Sequence, residues 1–209
     1  MLLDIHSHHP APYPEGIISE EPECVNFEEG QFYSLGLHPW HLGATPDEVE
    51  KQCDRLCQLA CRPQIIAIGE AGFDTVRGAP MMLQSIAFRR QVDLSEQLKL
   101  PLIIHCVKTM DMILAWRKQS CAIQPWIIHG FRGKPQAALQ LIKAGIGLSF
   151  GEKFNPETVK QVPLEFMFAE TDESSLSINT IIDTLSEVRQ ENLLPAIASN
   201  MQQLFQKDI

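Results

Sequence analysis

The sequence predicts a compact α/β fold, a TIM-barrel-like (β/α)8 arrangement with a degenerate first βα unit. Eight short apolar or β-branched runs alternate with helical patterns, and several runs are almost wholly apolar, as expected of strands covered on both faces. Such repeated alternation favours a closed barrel over an open sheet. The chain has 209 residues, which is near the lower limit of about 200 residues for this fold.

The predicted strands are short and evenly spread along the chain. They cover residues 2–6, 17–19, 32–37, 65–68, 101–105, 126–129, 146–150 and 166–169. Between residues 8 and 36 the chain has several prolines and acidic residues but no convincing helical pattern. We therefore expect the first βα unit to be the degenerate one.

The predicted helices have recognisable boundary signals. TPDE at 45–48 is typical of a capping box, with proline in the first turn. GKP at 133–135 begins a helix that is expected to end near Gly145, and NPE at 155–157 begins a short one. Two further helices are expected at 178–190 and 194–206. Because no repeat or linker-like stretch divides the sequence, we expect one domain over residues 1–209.

Composition and charge narrow the classes of function. The net charge of −9 argues against a module that binds nucleic acid through a broad basic face, but not against an enzyme that holds a few phosphates locally. No segment reaches the roughly 18 uninterrupted apolar residues of a membrane span. The N-terminal stretch lacks the basic and apolar regions of a secretory signal. We expect a cytoplasmic protein without membrane association or an obligate protein partner.

The candidate chemistry lies where predicted strands end. Barrel active sites lie at the carboxyl ends of the strands, and imidazoles and carboxylates are ligands for divalent metals. A single histidine at a strand end is usually held by a backbone hydrogen bond and binds no ligand. The recurrence of imidazoles or carboxylates at five strand ends argues against that explanation for the whole set. The predicted metal ligands are His6, His8, Glu70, His105, His129 and Asp172.

This set of ligands favours two divalent ions, with zinc, manganese and magnesium left open. His6, His8 and Asp172 are assigned to one ion, and His105 and His129 to the other, with Glu70 bridging. Two such ions can activate a water and stabilise the attacking and leaving oxygens of an in-line displacement. Asp172 and Glu70 are thus the predicted catalytic residues, with Asp172 as the general base.

Three residues near these ends are candidates for contacts with an anionic substrate. His38 ends the third run, and a role in fixing its own loop is given equal weight. Arg132 and Lys108 each follow a predicted ligand by three residues, although either could be a solvated loop charge. Asp74, four residues after Glu70, is expected either to orient a neighbouring ligand or to cap a turn.

The order of motifs along the chain resembles that of the TatD family of metal-dependent deoxyribonucleases, which are similar to amidohydrolase-like barrels. The motifs are DIHSHH at 4–9, GLHPWH at 36–41, AIGEAGFD at 67–74, LPLIIHC at 100–106, IIHGFRG at 127–133 and FAETD at 168–172. The resemblance implies hydrolysis of DNA phosphodiester bonds, often from an end, with two divalent metals. The resemblance also implies that the same six residues are the metal ligands and that DNA ends or short oligonucleotides are the substrate.

Departures from the family pattern fall in the loops that would grip substrate. Val107 stands where the family usually has an arginine, and Arg132 stands where a small hydroxyl is usual. After Asp172 the chain continues with ESSL in place of the usual Ser-Pro-Tyr stretch. Two alternatives therefore stay open: the same barrel acting on a small phosphomonoester, amide or lactone, and a non-catalytic metal-binding scaffold.

Overall fold

The computed structural model describes residues 1–9 and 15–205. Its strands are β1 (Asp4–Ser7), β2 (Gly16–Glu20), β3 (Phe32–Leu35), β4 (Ile65–Asp74), β5 (Leu102–Val107), β6 (Trp126–Ile128), β7 (Ile146–Phe150) and β8 (Met167–Ala169). They follow one another in chain order as a closed barrel. The recorded pairs, such as β1 with β8 and β4 with β5, are parallel. The predicted fold class is therefore confirmed.

Helices follow the strands from β3 onwards. They are α1 (Pro46–Leu59), α2 (Met81–Leu98), α3 (Met110–Ser120), α4 (Pro135–Lys143), α5 (Pro156–Gln161), α6 (Ile178–Arg189) and α7 (Leu194–Phe205). The described residues before Pro46 form no α-helix, which confirms the degenerate start in that part of the chain. The predicted end of the last helix, Gln206, lies outside the described residues. None of the helices in the described part is both long and apolar enough to cross a membrane.

The helix boundary signals act as the sequence predicts. The Thr45 hydroxyl accepts a hydrogen bond from the Glu48 N–H, and the Glu48 carboxylate accepts one from the Thr45 N–H. Asn155 caps the start of α5 by accepting from the backbone of the first turn. Gly145 follows α4 with a φ of 73°, a left-handed conformation that favours glycine.

The chain divides into two compact units, one of Met1–Ile18 with Ile127–Ile209 and the other of Ser19–Trp126. In the first unit the apolar side chains of β1, β7 and β8 are buried, and helices α4 and α7 contact β7 and β8. In the second unit α2 contacts β4 and α1. The expectation of a single domain stays a prediction.

The fourth strand is longer than the sequence predicts, which corrects the position of Glu70. The predicted run covers residues 65–68 and places Glu70 just at its end, but β4 continues to Asp74, and all ten of its residues are buried. The structure keeps Ala71 and Phe73 paired with β5 after a register shift. Glu70 thus lies within the strand, and Asp74 is the carboxylate at its end.

Candidate metal centre

In the first unit, backbone hydrogen bonds fix the position of Asp172. Its N–H donates to the His6 carbonyl at 2.9 Å, and its own carbonyl accepts from the His8 N–H at 3.0 Å. Asp172 has a φ of 55°, and its Oδ1 lies 3.8 Å from Nε2 of His6 and 3.7 Å from Nε2 of His8. The structure therefore brings together three of the predicted ligands, and their donor atoms form a group that could hold a metal ion.

The buried carboxylate of Asp4 connects the two segments that contain these predicted ligands. Asp4 accepts hydrogen bonds from the Thr171 N–H at 3.1 Å and the Thr171 hydroxyl at 2.6 Å. It also accepts from the His6 N–H at 3.2 Å. Burial raises the pKa of Asp4 to about 7, although the hydrogen bonds from Thr171 and His6 act in the opposite direction. Asp4 thus connects the backbone of one predicted ligand, His6, to the residue that precedes Asp172.

His129 and Glu170 complete the cluster of the first unit. The His129 ring lies 4.2 Å from that of His6, and its Nδ1 is 3.7 Å from Glu170 Oε1. Glu170 is fully buried, and its Oε1 accepts from the Gly130 N–H at 2.6 Å. Its Oε2 has no hydrogen-bond partner within the described residues. Glu170, His129 and Asp172 also have a geometry that could hold a metal ion.

Sequence reasoning did not assign Glu170 to the site. A signal for it was present, since Glu170 precedes Asp172 by two residues, the same spacing as that of His6 and His8. Residues at i and i+2 of a strand point to the same face. Full burial of a carboxylate is a tertiary property, however, and the spacing alone does not reveal it.

In the second unit, Glu70, His105 and His38 converge. Glu70 Oε1 lies 2.6 Å from His105 Nδ1 and 3.2 Å from His38 Nε2, and the two ring nitrogens are 3.3 Å apart. All three residues are buried. The structure thus places two predicted ligands beside the residue that was predicted to contact substrate. The bridging role of Glu70 stays a prediction, and the sequence-based pairing of His105 with His129 joins residues of different units.

Asp74 connects this group to the surrounding loop. Its Oδ2 accepts from the Trp40 indole at 2.7 Å and lies 3.3 Å from His105 Nε2. Its Oδ1 accepts from the N–H groups of Val76 and Arg77 at 2.7 and 2.9 Å. Burial acts to raise the Asp74 pKa, but these hydrogen bonds outweigh burial and lower it. Asp74 thus contacts a predicted ligand and also caps a turn, and its role in orienting that ligand stays a prediction.

A cavity of about 200 Å³ adjoins the cluster of the first unit. Its lining includes Arg132, Lys153, Glu170 and Asp172. Arg132 is exposed and lines this cavity, and its role as a substrate contact stays a prediction. Lys153 was not identified from the sequence, where it is one of many lysines. Lys108, the other predicted contact, is exposed at the end of β5 with a φ of 55°.

Comparison with known proteins places the chain in a family. The family model described as TatD related DNase matches residues 21–206. The chain belongs to the TatD-related DNase family. The family model spans nearly all of the described chain, including Glu70, His105 and Asp172, so the resemblance drawn from the motif order is confirmed.

Individual relatives resemble the chain over part of their length. An uncharacterized metal-dependent hydrolase of Bacillus subtilis, YabD, is 30% identical over 142 residues, which cover 64% of this chain and 56% of YabD. A 3'-5' ssDNA/RNA exonuclease TatD of Yersinia pseudotuberculosis is 29% identical over 123 residues, which cover 56% of this chain and 44% of the relative. The chain thus spans about half the length of the curated relatives it matches.

The fold of the TatD family is recognised over almost the whole chain. The crystal structure of YjjV, a TatD homolog from Escherichia coli, matches with a TM-score of 0.78 at 19% identity. The match covers 98% of this chain and 98% of YjjV. At this level of identity the likeness concerns the fold.

Proposed function

We propose that the chain is a TatD-type metal-dependent phosphodiesterase that hydrolyses DNA from its ends or as short oligonucleotides. The observation that carries the proposal is the convergence of imidazoles and carboxylates in each unit of a chain that belongs to this family. One group contains His6, His8 and Asp172, and the other contains Glu70 and His105. A nucleic-acid substrate is suggested by the relative named an ssDNA/RNA exonuclease.

The residues present fit a divalent ion in each unit. Imidazole nitrogens and carboxylate oxygens are ligands that zinc, manganese and magnesium accept to different degrees. In the first unit, the buried Oε2 of Glu170 has no hydrogen-bond partner among residues 1–9 and 15–205. Burial of a carboxylate oxygen without a hydrogen-bond partner is unfavourable in free energy unless a cation or a hydrogen-bond donor contacts it. His6, His8, His129 and Asp172 would hold one ion, with Glu170 beside it. Glu70 and His105 would hold the other, so that His129 changes from the ion to which the sequence assigned it.

The exposed fractions of the Asp172 and His6 side chains indicate different roles for the two residues. Divalent ions would lower the pKa of an attacking water and stabilise charge on the phosphoryl oxygens. The Asp172 side chain is 27% exposed, whereas that of His6 is fully buried. Asp172 therefore reaches solvent and can accept the proton of the attacking water, whereas the side chain of His6 has no access to solvent. Geometry and exposure both favour Asp172 as the general base.

Contacts with the anionic substrate are assigned to Arg132 and Lys153. Both line the cavity that also contains Asp172, and charge-assisted hydrogen bonds to phosphate are among the stronger ones in proteins. Two cations at one cavity are compatible with the net charge of −9, because they act locally. Lys108 is an additional candidate at the end of β5.

The substrate class is tested by parallel assays with Mn²⁺ or Mg²⁺ on three substrates: end-labelled single-stranded DNA, a phosphomonoester and a lactone. We expect metal-dependent release of nucleotides from DNA, and a loss of at least about 100-fold in kcat for Asp172→Asn, as is typical when a general base is removed. Activity on the phosphomonoester or the lactone with none on DNA would contradict the nuclease proposal and identify a different hydrolase. A protein that binds metal and hydrolyses none of the three would support a scaffold.

A cytoplasmic location is part of the proposal. Cys24, Cys53, Cys57, Cys61 and Cys121 form no disulfide within the described residues, which fits a reducing compartment. Cell fractionation with an antibody against the chain tests this location, and recovery of the protein in an oxidising compartment would contradict it.

A further inference from the structure

We propose that Arg132 and Lys153 bind a second phosphate of the substrate, next along the DNA strand to the phosphate that is hydrolysed. This inference rests on the proposed function and makes it more specific, because the preferred substrate then carries two neighbouring phosphates. The second phosphate is either the next internucleotide phosphate or a phosphate on the terminal nucleotide. Both offer the same chemistry to the two cations, and substrates with single modifications distinguish them.

The cavity beside Asp172 becomes more exposed from its floor to its mouth. Glu170 lines the cavity and is fully buried. The Asp172 side chain is 27% exposed, and Arg132 and Lys153 are exposed residues of the same lining. The candidate metal ligands thus lie at depth, and both cations lie at the mouth. Because the divalent ions would hold the scissile phosphate near Asp172, the phosphate within reach of the cations is the next one outward.

Both cations are available to an anion. Arg132 and Lys153 form no ion pair and no side-chain hydrogen bond within residues 1–9 and 15–205. The exposed carboxylates of Glu152 and Glu173 line the same cavity, but Glu152 accepts a hydrogen bond from the Ser174 hydroxyl at 2.8 Å. Guanidinium and ammonium groups form charge-assisted hydrogen bonds with phosphate oxygens, and guanidinium can form two in parallel. Two cations without a protein partner at one cavity therefore favour a phosphate as their partner.

The loop that carries Arg132 is held on both sides of this residue. The Phe131 N–H donates to the Ser149 carbonyl at 2.9 Å, and the Gly133 carbonyl accepts from the Thr158 hydroxyl at 2.7 Å. The ring of Phe131 packs on the same loop, since a Cβ atom at Gly133 would lie 2.6 Å from its Cζ. The backbone at Arg132 is thus in place before an anion arrives, which reduces the entropy lost on binding.

Two departures from the TatD pattern meet at this cavity. Arg132 stands where a small hydroxyl residue is usual, and Ser174 belongs to the ESSL stretch at 173–176 that stands in place of Ser-Pro-Tyr. The Ser174 hydroxyl accepts from the Leu176 N–H at 3.2 Å and donates to Glu152, the residue before Lys153. The altered loop after β8 therefore contacts the loop that carries Lys153, while the altered loop after β6 supplies Arg132. A shared role in binding substrate explains why both changes face one cavity.

Substitutions that remove one charge test the role of the two cations. We expect Arg132→Gln and Lys153→Gln each to raise KM for a single-stranded tetranucleotide about 10- to 100-fold, because a hydrogen bond to a charged group is lost. Since binding to a non-reacting phosphate is equal in the ground and transition states, kcat should stay within about twofold. The dependence of log(kcat/KM) on log[salt] should become weaker, by up to about 0.7 in slope.

Lys134→Gln is the matched control for these variants. Lys134 is exposed, lies two residues after Arg132 and precedes α4, but it does not line the cavity. The substitution removes the same charge from the same loop, so KM and the salt dependence should equal those of the wild type. Equal effects of Lys134→Gln and Arg132→Gln would overturn the inference, because net charge alone would then explain them.

Modified substrates identify which phosphate is bound. A methylphosphonate at the linkage next to the scissile one has no charge. If the internucleotide phosphate is bound, this change should lower kcat/KM of the wild type about 10- to 100-fold, and Arg132→Gln should lose little more. If a terminal phosphate is bound, its addition to the tetranucleotide should lower KM for the wild type but not for Arg132→Gln. Effects of both modifications that do not depend on Arg132 would overturn the inference.

Bis(p-nitrophenyl) phosphate, a diester with a single phosphate, separates failure of the inference from failure of the proposed function. It offers no second phosphate, so Arg132→Gln and the wild type should hydrolyse it equally. An equal loss on this diester and on the tetranucleotide would overturn the inference, because Arg132 would then act on the scissile phosphate. A wild type that does not hydrolyse the tetranucleotide would contradict the proposed function. A wild type that hydrolyses it without dependence on Arg132 or Lys153 would overturn the inference alone.

Discussion

At the scale of single residues, Gly72 determines how closely β4 approaches β5. A Cβ atom at this position would lie 1.9 Å from the His105 carbonyl oxygen, and the φ of 156° is unfavourable for other residues. We expect Gly72→Ala to lower the free energy of unfolding by about 3 kcal/mol or more, since backbone clash adds to conformational strain. Urea denaturation of the metal-free protein measures this change.

Gly145 provides the matched control for Gly72. It also has a positive φ, but an added Cβ would have no atom of the described residues within 4 Å. Gly145→Ala should therefore lower the free energy of unfolding by only about 1–2 kcal/mol, the strain of the left-handed conformation alone. Equal losses in the two variants would show that the approach to His105 is not the cause.

The candidate ligands that could be selected from the sequence were those at the ends of predicted strands. His6, His8 and His105 were selected because strand ends of a barrel converge. Glu170 and Lys153 were not selected, because burial and the lining of a cavity depend on contacts between segments distant in sequence. The different hydrogen bonds of His38 and His105 are likewise invisible in the motifs that contain them.

At the scale of elements, the capping box of α1 is expected to be a measurable part of stability. Thr45 satisfies the Glu48 N–H, and Thr45→Ala leaves that donor to solvent. We expect a loss of about 1 kcal/mol in the free energy of unfolding. Thr184→Ala is a matched control, because Thr184 bonds back to the Thr180 carbonyl inside α6. Its loss should be close to zero, and a similar effect of both substitutions would contradict the capping role.

The length of β4 illustrates why the ends of some elements could not be predicted correctly. The apolar run at 65–68 predicts a strand that ends near Glu70. The structure keeps Ala71 and Phe73 in the strand because both are buried and pair with β5. By contrast, α1 and α5 begin where local capping signals predict, since a cap depends on only a few neighbouring residues.

At the scale of the whole molecule, the eight alternating patterns were sufficient to predict the fold class, because the alternation of strand and helix restricts the architecture. The degenerate start was predictable from the lack of a helical pattern after His8. The division into two compact units was not, since it reflects how contacts are distributed in three dimensions. Each unit contains a group of side chains that could hold a metal ion.

The number of divalent ions bound per chain tests the central claim most directly. The proposal assigns one ion to each unit, so elemental analysis after reconstitution with Mn²⁺ should give two ions per chain. His6→Ala and His105→Ala should each leave one ion, the double variant none, and both single variants should lose hydrolysis of DNA. A wild type with fewer than two ions, or a single variant that retains both, would contradict the account.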